Sequence, residues 1–183
     1  YQKYIYLMMN KPPGVISATE DKRDETVIDL LFEDVTYFKP FPVGRLDKDT
    51  EGLLLLTNDG AFNHALMSPK KHVEKTYYAE VTGVLTQEDV EAIAAGVTLE
   101  DGYQAKPGKL VILSTTETDS TLELTITEGK FHQVKRMMLA LGKEVTFLKR
   151  RSIGRLELDS ALALGDYREL TQEELSLFDW QPE

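Results

Sequence analysis

VGRLDKDTEGLLLLTNDG, residues 43–60, is the stretch that says most about the fold. Its second half contains four consecutive leucines, 53–56, followed by a turn sequence at 58–60. A short apolar run that ends at a turn signal predicts a buried strand. Two acids, Asp47 and Asp49, precede this strand in a loop. Because a rigid strand can hold a loop carboxylate in register, Asp47 is the first candidate for a catalytic residue.

The same acids have two other interpretations. Asp47 and Asp49 could bind Mg²⁺ together with Glu51, but such a site needs several oxygen ligands, and no further acidic cluster has the spacing to supply them. Both acids could instead cap the loop. No pair of histidines has the HExxH spacing that predicts a zinc site. The histidines lie at His64, His72 and His132. We therefore predict no metal site.

The charge of the chain is acidic overall but unevenly distributed. The formal net charge is −10 and the pI is about 4.9. This balance alone argues against nucleic acid as a partner, since affinity for nucleic acid depends largely on lysine and arginine. The basic residues nevertheless fall into three clusters, within 70–75, 130–136 and 149–155. Each cluster singly is typical of a solvated surface, but together they predict one basic face.

Length and composition limit the class of protein. The 183 residues, 42% of them hydrophobic, suffice for one good core. The chain has no cysteine, which excludes disulfides and thiolate chemistry and fits a reducing cytoplasm. No stretch reaches the roughly 18–20 apolar residues of a membrane span, and the start lacks a signal-peptide pattern. We expect a cytoplasmic protein without membrane contact. Because the first residue is Tyr1, we also expect a fragment of a longer chain.

Hydrophobic periodicity predicts many strands and few helices, without strict alternation. Strands are predicted over 4–9, 53–57, 74–82, 110–113, 121–127, 144–148 and 154–158. Helices are predicted over 26–32, 61–67, 86–96 and 133–141, with a last one after Thr171. Since Pro12 and Pro13 cannot donate to a ladder, the first strand is predicted to end before Asn10. The pattern predicts an α+β fold with a mixed, largely antiparallel sheet flanked by helices.

EGKFHQVKRM, residues 128–137, is the second informative stretch. A strand ends at a glycine turn, and a helix with an apolar stripe follows. On a period of 3.6 residues, His132 and Arg136 point away from the stripe, while Lys135 flanks it. Basic side chains near the start of a helix oppose the helix dipole, so they add little to the stability of the helix. They face either a carboxylate or phosphate, or solvent.

Tyr77 and Tyr78 are consecutive in a predicted strand, so one side chain faces each side of it. One is expected in the core, and the other could be a stacking platform for a base. Periodicity does not choose between them.

Four segments together resemble the pseudouridine synthases that modify ribosomal RNA, in the branch typified by the small-subunit rRNA enzyme (the RsuA type). The resemblance covers nearly the whole chain, and the segments keep the order and spacing of that family. They are NKPPG (10–14), GRLDKDTEGL (44–53), EKTY (74–77) and EGKFHQVKRM (128–137). The ending GDYRELT, 165–171, resembles the small-subunit enzyme more than its large-subunit relatives.

The resemblance implies isomerisation of uridine to pseudouridine, in which the N-glycosidic bond breaks, the uracil rotates and a C–C bond forms. Asp47 corresponds to the catalytic aspartate, which attacks the nucleotide or assists formation of a glycal intermediate. Tyr77 corresponds to the tyrosine that stacks on the uracil and helps to remove the C5 proton. Lys135 corresponds to the basic residue of the active site that pairs with the aspartate. Arg136 is the alternative candidate for that residue. Asp49 is then expected to support the loop.

The same resemblance implies contacts to the substrate RNA from Arg45, Lys75, His132 and Arg136, with Arg45 at a phosphate near the flipped nucleotide. It implies a pseudouridine synthase catalytic domain over 1–183 that acts as a monomer. Since the isomerisation needs no redox partner, it also implies no cofactor. Members of the family usually carry an N-terminal S4 RNA-binding domain, which would precede Tyr1.

We expect the substrate to be small-subunit rRNA or its assembly intermediate. The first alternative is a large-subunit rRNA pseudouridine synthase. The second, from a different class, is a catalytically silent RNA-binding module of the same fold. The presence of Asp47, Tyr77 and Lys135 argues against this silent module.

Overall fold

The computed structural model describes residues 2–182, which divide into two compact units. The first unit contains residues 2–73 and 152–182, and the second contains residues 74–151. The single catalytic domain over 1–183 stays a prediction.

Strands and helices alternate irregularly along the described part of the chain. The strands are β1 (Tyr6–Lys11), β2 (Phe41–Val43), β3 (Glu51–Thr57), β4 (Lys75–Thr82), β5 (Lys109–Thr115), β6 (Asp119–Ile126), β7 (Glu144–Ile153), β8 (Leu156–Glu157) and β9 (Tyr167–Glu169). The helices are α1 (Glu33–Thr36), α2 (Gly60–Met67), α3 (Gln87–Ala95), α4 (Gln133–Ala140) and α5 (Gln172–Ser176). Short 3₁₀ helices cover Val27–Leu30 and Pro69–Lys71.

In the first unit, β1 lies between β3 and β9 and is antiparallel to both. Its pairing with β3 runs from Tyr6 opposite Thr57 to Lys11 opposite Gly52. The short strand β2 pairs with β3 as well. Every residue of β1 is buried, and so is every residue of β3 after Glu51. This burial is what the continuous apolar runs predicted.

Several predicted boundaries are wrong. The first strand does not end at Met9 but continues through Lys11, because Pro12 is the first residue of this segment that lacks the amide hydrogen required by the ladder. The helix predicted over 26–32 is a 3₁₀ helix, and β7 extends five residues beyond the predicted end at 148. The strand predicted over 154–158 shrinks to Leu156–Glu157. The elements α1 and β9 were not predicted.

In the second unit the strand order is β5–β6–β4–β7. β6 is antiparallel to β4 on one side and to β5 on the other, which confirms the predicted strand pair. The predicted helix after Thr86 is α3, which ends at Gly96. At Gly96 φ is +95°, and a Cβ atom would lie 2.4 Å from the carbonyl oxygen of Ala105, so that position requires glycine.

The ladders β1–β3, β1–β9, β2–β3, β4–β6, β5–β6 and β7–β8 are antiparallel, and an isolated parallel bridge joins Ile16 and Thr26. The predicted α+β class with a mixed, largely antiparallel sheet is thus confirmed.

The core of the first unit is built around Phe62 on α2. Its ring makes edge-on contacts with Tyr6, Phe178 and Trp180, at centroid distances of 5.2, 5.9 and 5.4 Å. The Tyr6 hydroxyl donates to Asp59 at 2.6 Å, and Asp59 in turn accepts from the first amides of α2. Burial raises the pKa of Tyr6 well above its usual range. The aromatic cluster therefore fixes α2 and the C-terminal segment against the central strand.

Replacing Phe62 by alanine is expected to lower the free energy of unfolding by about 3–5 kcal/mol, because the ring is enclosed by three others. The matched control is Phe32→Ala, since 76% of Phe32 is exposed, and its effect is expected within about 0.5 kcal/mol. Urea unfolding can be followed by the fluorescence of Trp180, the single tryptophan. Equal losses in the two variants would contradict this core.

Candidate active site

Asp47 lies in the loop that joins β2 to β3, and the backbone of this loop is fixed at several points. Gly44 begins it with a φ of +74°, which glycine adopts without strain. The Ser17 hydroxyl accepts from the Leu46 amide at 3.0 Å and donates to the Leu46 carbonyl at 3.1 Å. The Thr50 amide donates to the Asp47 carbonyl at 3.0 Å. The residue before Asp47 is thus held through both of its backbone polar groups.

A buried lysine, Lys11 at the end of β1, binds the same loop. Its side chain has an exposed fraction of 0%. The ammonium donates to the carbonyls of Thr50 at 2.8 Å, Pro12 at 2.9 Å and Lys48 at 3.1 Å. The Gly14 amide donates to the same Lys48 carbonyl at 2.8 Å. One cation therefore joins the end of β1 to the part of the loop that follows Asp47.

The electrostatics of Lys11 reflect this position. Burial lowers its pKa to about 8, while the negative charges of Asp49, Asp47 and Glu51 act in the opposite direction. These acids thus favour the protonated lysine. The role of Asp49 as a support for the loop stays a prediction. The negative charge of Asp49, which favours the protonated form of Lys11, is consistent with that role.

Lys11 and Ser17 were not recognised as candidates from the sequence. A lysine in an otherwise apolar strand was an available signal, because lysine is almost never fully buried without partners. For Ser17 the sequence offered no signal, since serine in a loop is ordinary.

Tyr77 and Tyr78 occupy opposite faces of β4, as the period of two predicts. Tyr77 is 8% exposed and shares its face with the buried Ala79 and Val81. Tyr78 lies on the other face, and its hydroxyl donates to Glu80 at 2.8 Å, which raises the pKa of Tyr78. The hydroxyl of Tyr78 is therefore already engaged.

The hydroxyl of Tyr77 is placed differently. Within residues 2–182 it makes no hydrogen bond, and it is not one of the fully buried atoms without a partner. The ring is thus packed, while the hydroxyl has no hydrogen-bond partner in the described residues. This geometry suits a group that meets a substrate.

Lys75 precedes Tyr77 by two residues on β4 and shares its face. Burial lowers the pKa of Lys75, and the positive charge of Arg150 lowers it further. In the part of the chain that the structure describes, no carboxylate pairs with Lys75. Lys75 is therefore a candidate for contact with a phosphate.

Lys135 and Arg136 are neighbours on α4 with different surroundings. The Arg136 guanidinium pairs with Glu100 at 2.6 Å and Asp101 at 2.8 Å, and it donates to the Phe131 carbonyl at 2.9 Å. The hydrogen bonds to the two carboxylates raise the pKa of Arg136. Since Arg136 already serves two carboxylates, Lys135 is the better candidate to pair with a third.

The site residues predicted from the sequence fall into two groups. Asp47 and Arg45 lie in the first unit, and Arg45 is exposed. Those in the second unit are Lys75, Tyr77, His132, Lys135 and Arg136. His132 occupies the N-cap position of α4 with a φ of +50°.

The described residues contain no group of three His, Asp or Glu side chains arranged to hold a metal ion. Within the same residues, no helix has the length and apolar character needed to cross a bilayer.

The sequence profile of the RNA pseudouridylate synthase family matches residues 5–140. The chain belongs to this family. It is therefore an isomerase that acts on RNA, and the resemblance noted from the four segments is confirmed. A solved structure described as a crystal structure of pseudouridylate synthase superposes with a TM-score of 0.89 at 40% identity. It covers 97% of this chain and 75% of that one, which confirms the predicted pseudouridine synthase fold.

Three bacterial pseudouridine synthases are similar over most of the chain. An uncharacterized RNA pseudouridine synthase of Bacillus subtilis is 56% identical, over 98% of this chain and 75% of that protein. Ribosomal small subunit pseudouridine synthase A of Escherichia coli is 42% identical, over 93% of this chain and 72% of that protein. Ribosomal large subunit pseudouridine synthase B of Bacillus subtilis is 43% identical, over 93% of this chain and 70% of that protein.

The lowered pKa of Lys11 predicts a pH dependence of this synthase's stability. Folded Lys11 has a pKa of about 8, below the 10.5 of an ordinary lysine, so between these values the unfolded chain binds the proton more strongly. The free energy of unfolding of the wild type, relative to Lys11→Met, should rise by about 2–3 kcal/mol from pH 7 to pH 10. Urea unfolding at several pH values measures it.

Lys48→Met is the matched control, because Lys48 lies in the same loop and its bond to Asp24 raises its pKa. It should show no such gain. A titration of the lysine Cε resonances in the wild type gives a second readout that needs no variant. If no lysine titrates near pH 8, the assignment is wrong.

Proposed function

We propose that residues 1–183 form one catalytic domain that isomerises a specific uridine to pseudouridine in ribosomal RNA, with small-subunit rRNA as the preferred target. The single observation that carries the proposal is the loop of Asp47, whose backbone is fixed by the Lys11 ammonium and the Ser17 hydroxyl. A reactive carboxylate needs such a fixed backbone, because misplacement by about 1 Å can cost a hundredfold in rate.

In the proposed reaction no atoms are gained or lost. The bond from C1′ of the ribose to N1 of uracil breaks, and the uracil rotates. A bond from C1′ to C5 forms, the proton on C5 leaves, and N1 takes up a proton. Asp47 acts at the sugar, either as a nucleophile at C1′ or as the base that yields a glycal. No electron acceptor is consumed, and we propose no cofactor.

Tyr77 and Lys135 are proposed to complete the chemistry. The ring of Tyr77 is packed and its hydroxyl has no hydrogen-bond partner in the described residues, which fits stacking on the uracil and assistance in removing the C5 proton. Lys135 is proposed to pair with Asp47, an arrangement that would keep the carboxylate ionised and oriented. The engagement of Arg136 by Glu100 and Asp101 supports this choice.

Binding of RNA is proposed to use Arg45, Lys75, His132 and Arg136, with Arg136 acting through the turn at Phe131 that its guanidinium holds. A uridine in structured RNA must be unstacked before its glycosidic bond is reached, at a cost of a few kcal/mol. Lys75, which shares the face of Tyr77 on β4 and has no carboxylate partner in the described residues, supports a phosphate contact beside Tyr77. We propose that the protein acts as a monomer in the cytoplasm.

Large-subunit rRNA is the second candidate substrate. The relatives that carry small-subunit and large-subunit names are 42% and 43% identical, respectively, so identity favours neither. The ending GDYRELT supports the small subunit. Mapping pseudouridines in both rRNAs of a deletion strain, with and without the restored gene, tests the target. A site lost from large-subunit rRNA alone would overturn the preference.

Asp47→Asn is expected to abolish pseudouridine formation, with a rate below about one part in ten thousand of the wild-type rate. The reason is that asparagine has nearly the same shape as aspartate but lacks the reacting carboxylate. Asp49→Asn, two residues away in the same loop, is the matched control and should keep most of the rate. Release of tritium from [5-³H]uridine in rRNA transcripts measures it. Full activity in Asp47→Asn would refute the role of Asp47.

Tyr77→Phe is expected to retain RNA binding while losing about a hundredfold in single-turnover rate, since the stacking ring stays and the hydroxyl is removed. Tyr78→Phe is the matched control, because its hydroxyl contacts only Glu80 in the described hydrogen bonds. If Tyr78→Phe carries the rate defect and Tyr77→Phe does not, the two roles are exchanged.

A further inference from the structure

Phe131 stands out among the apolar side chains of the second unit because 75% of it is exposed. It lies in the turn between β6 and α4, after Gly129 and Lys130 and before His132. A single exposed apolar side chain is common on protein surfaces, so the residues that hold Phe131 in place decide whether it marks a contact surface. None of the roles assigned above uses the ring of Phe131.

The backbone at Phe131 is held in place by Arg136. The Arg136 guanidinium donates to the Phe131 carbonyl at 2.9 Å, while Glu100 and Asp101 fix the same guanidinium from another element. The hydrogen bond and the two ion pairs thus secure the turn that carries an exposed ring.

The ring of Phe131 is also supported from one side. His132 adopts a φ of +50°, a left-handed conformation that is uncommon outside glycine. In this conformation its imidazole stacks on the Phe131 ring, with centroids 3.7 Å apart and planes 18° apart. The Phe131 ring therefore has a fixed orientation while most of its surface remains open.

A cation lies beside the turn. The Lys130 ammonium is 4.9 Å from the centroid of the Tyr103 ring, and the Tyr103 hydroxyl donates to Glu128. Exposed aromatic rings next to lysine are typical of surfaces that bind unpaired nucleotides, because every base has a face to stack.

We propose that the Phe131 ring is a stacking platform for an unpaired base of the substrate RNA, supported by His132 and positioned by Arg136. This role of Phe131 rests on the proposed function in one respect, namely that the RNA bound is ribosomal RNA. It assigns Phe131 to binding, and Arg136 to holding the turn through the Phe131 carbonyl.

The test compares Phe131→Leu, Phe131→Tyr and Phe131→Trp with wild type. Phe32→Leu is the matched control, since 76% of Phe32 is exposed. The probes are full-length transcripts of small-subunit and of large-subunit rRNA, each used separately. Filter binding at fixed salt gives the Kd, and tritium release from [5-³H]uridine gives the single-turnover rate. Thermal unfolding checks that the exposed substitutions leave the fold unchanged.

Phe131→Leu is expected to weaken binding to the better transcript by about tenfold, the loss of one stacked base. Phe131→Tyr, Phe131→Trp and Phe32→Leu should stay within about twofold of the wild type. A wild-type Kd in Phe131→Leu overturns the inference, and so does an equal loss in the tyrosine and tryptophan variants. Absence of binding to both transcripts overturns it as well.

The rate separates this inference from the proposed function. If the wild type binds a transcript without forming pseudouridine, the proposed function fails, while the binding comparison still decides the role of Phe131.

Discussion

A buried ammonium is the constraint on which the candidate site depends. Lys11 has no exposed surface, and its cation donates to the carbonyls of Pro12, Lys48 and Thr50. Removing a cation from water is costly unless it is hydrogen-bonded and balanced by charge. Here the three carbonyls satisfy the donors, and the acids of the same loop supply the charge. The loop around Asp47 and the end of β1 must therefore adopt their conformations together.

This constraint explains why the first strand extends to Lys11. Asn10 and Lys11 pair with the first residues of β3, the strand that follows the Asp47 loop. This pairing brings the Lys11 ammonium to the end of that loop. The four leucines of β3 are buried, so this strand is a rigid support for the loop. The loop is thereby held at its start through Ser17 and at its end through Thr50. The second unit contributes the packed ring of Tyr77 and the partly buried ammonium of Lys75 on β4. On α4 it contributes Lys135 beside Arg136, whose guanidinium pairs with Glu100 and Asp101.

How much of this could be predicted from sequence differs between elements and contacts. The alternating strand β6 and the helices α3 and α4 followed from periodicity, because burial of one face imposes a period on the residues. Strand β3 followed from a continuous apolar run, and β4 from residues that favour strands. The family followed from four segments. The burial of Lys11 and the pairing of Arg136 with Glu100 and Asp101 did not, because both depend on contacts between residues distant in sequence. A three-residue edge strand such as β9 is too short to show a period.

The single-turnover rate of Lys11→Met on rRNA transcripts most directly tests whether the buried ammonium holds the Asp47 loop for pseudouridine chemistry. Lys48→Met, with its ammonium on the surface of the same loop, is the control. Circular dichroism and Trp180 fluorescence verify that both variants are folded. If the buried ammonium has this role, Lys11→Met binds RNA but isomerises uridine at least about a hundredfold more slowly, while Lys48→Met keeps the wild-type rate. A folded Lys11→Met protein with the wild-type rate would contradict it.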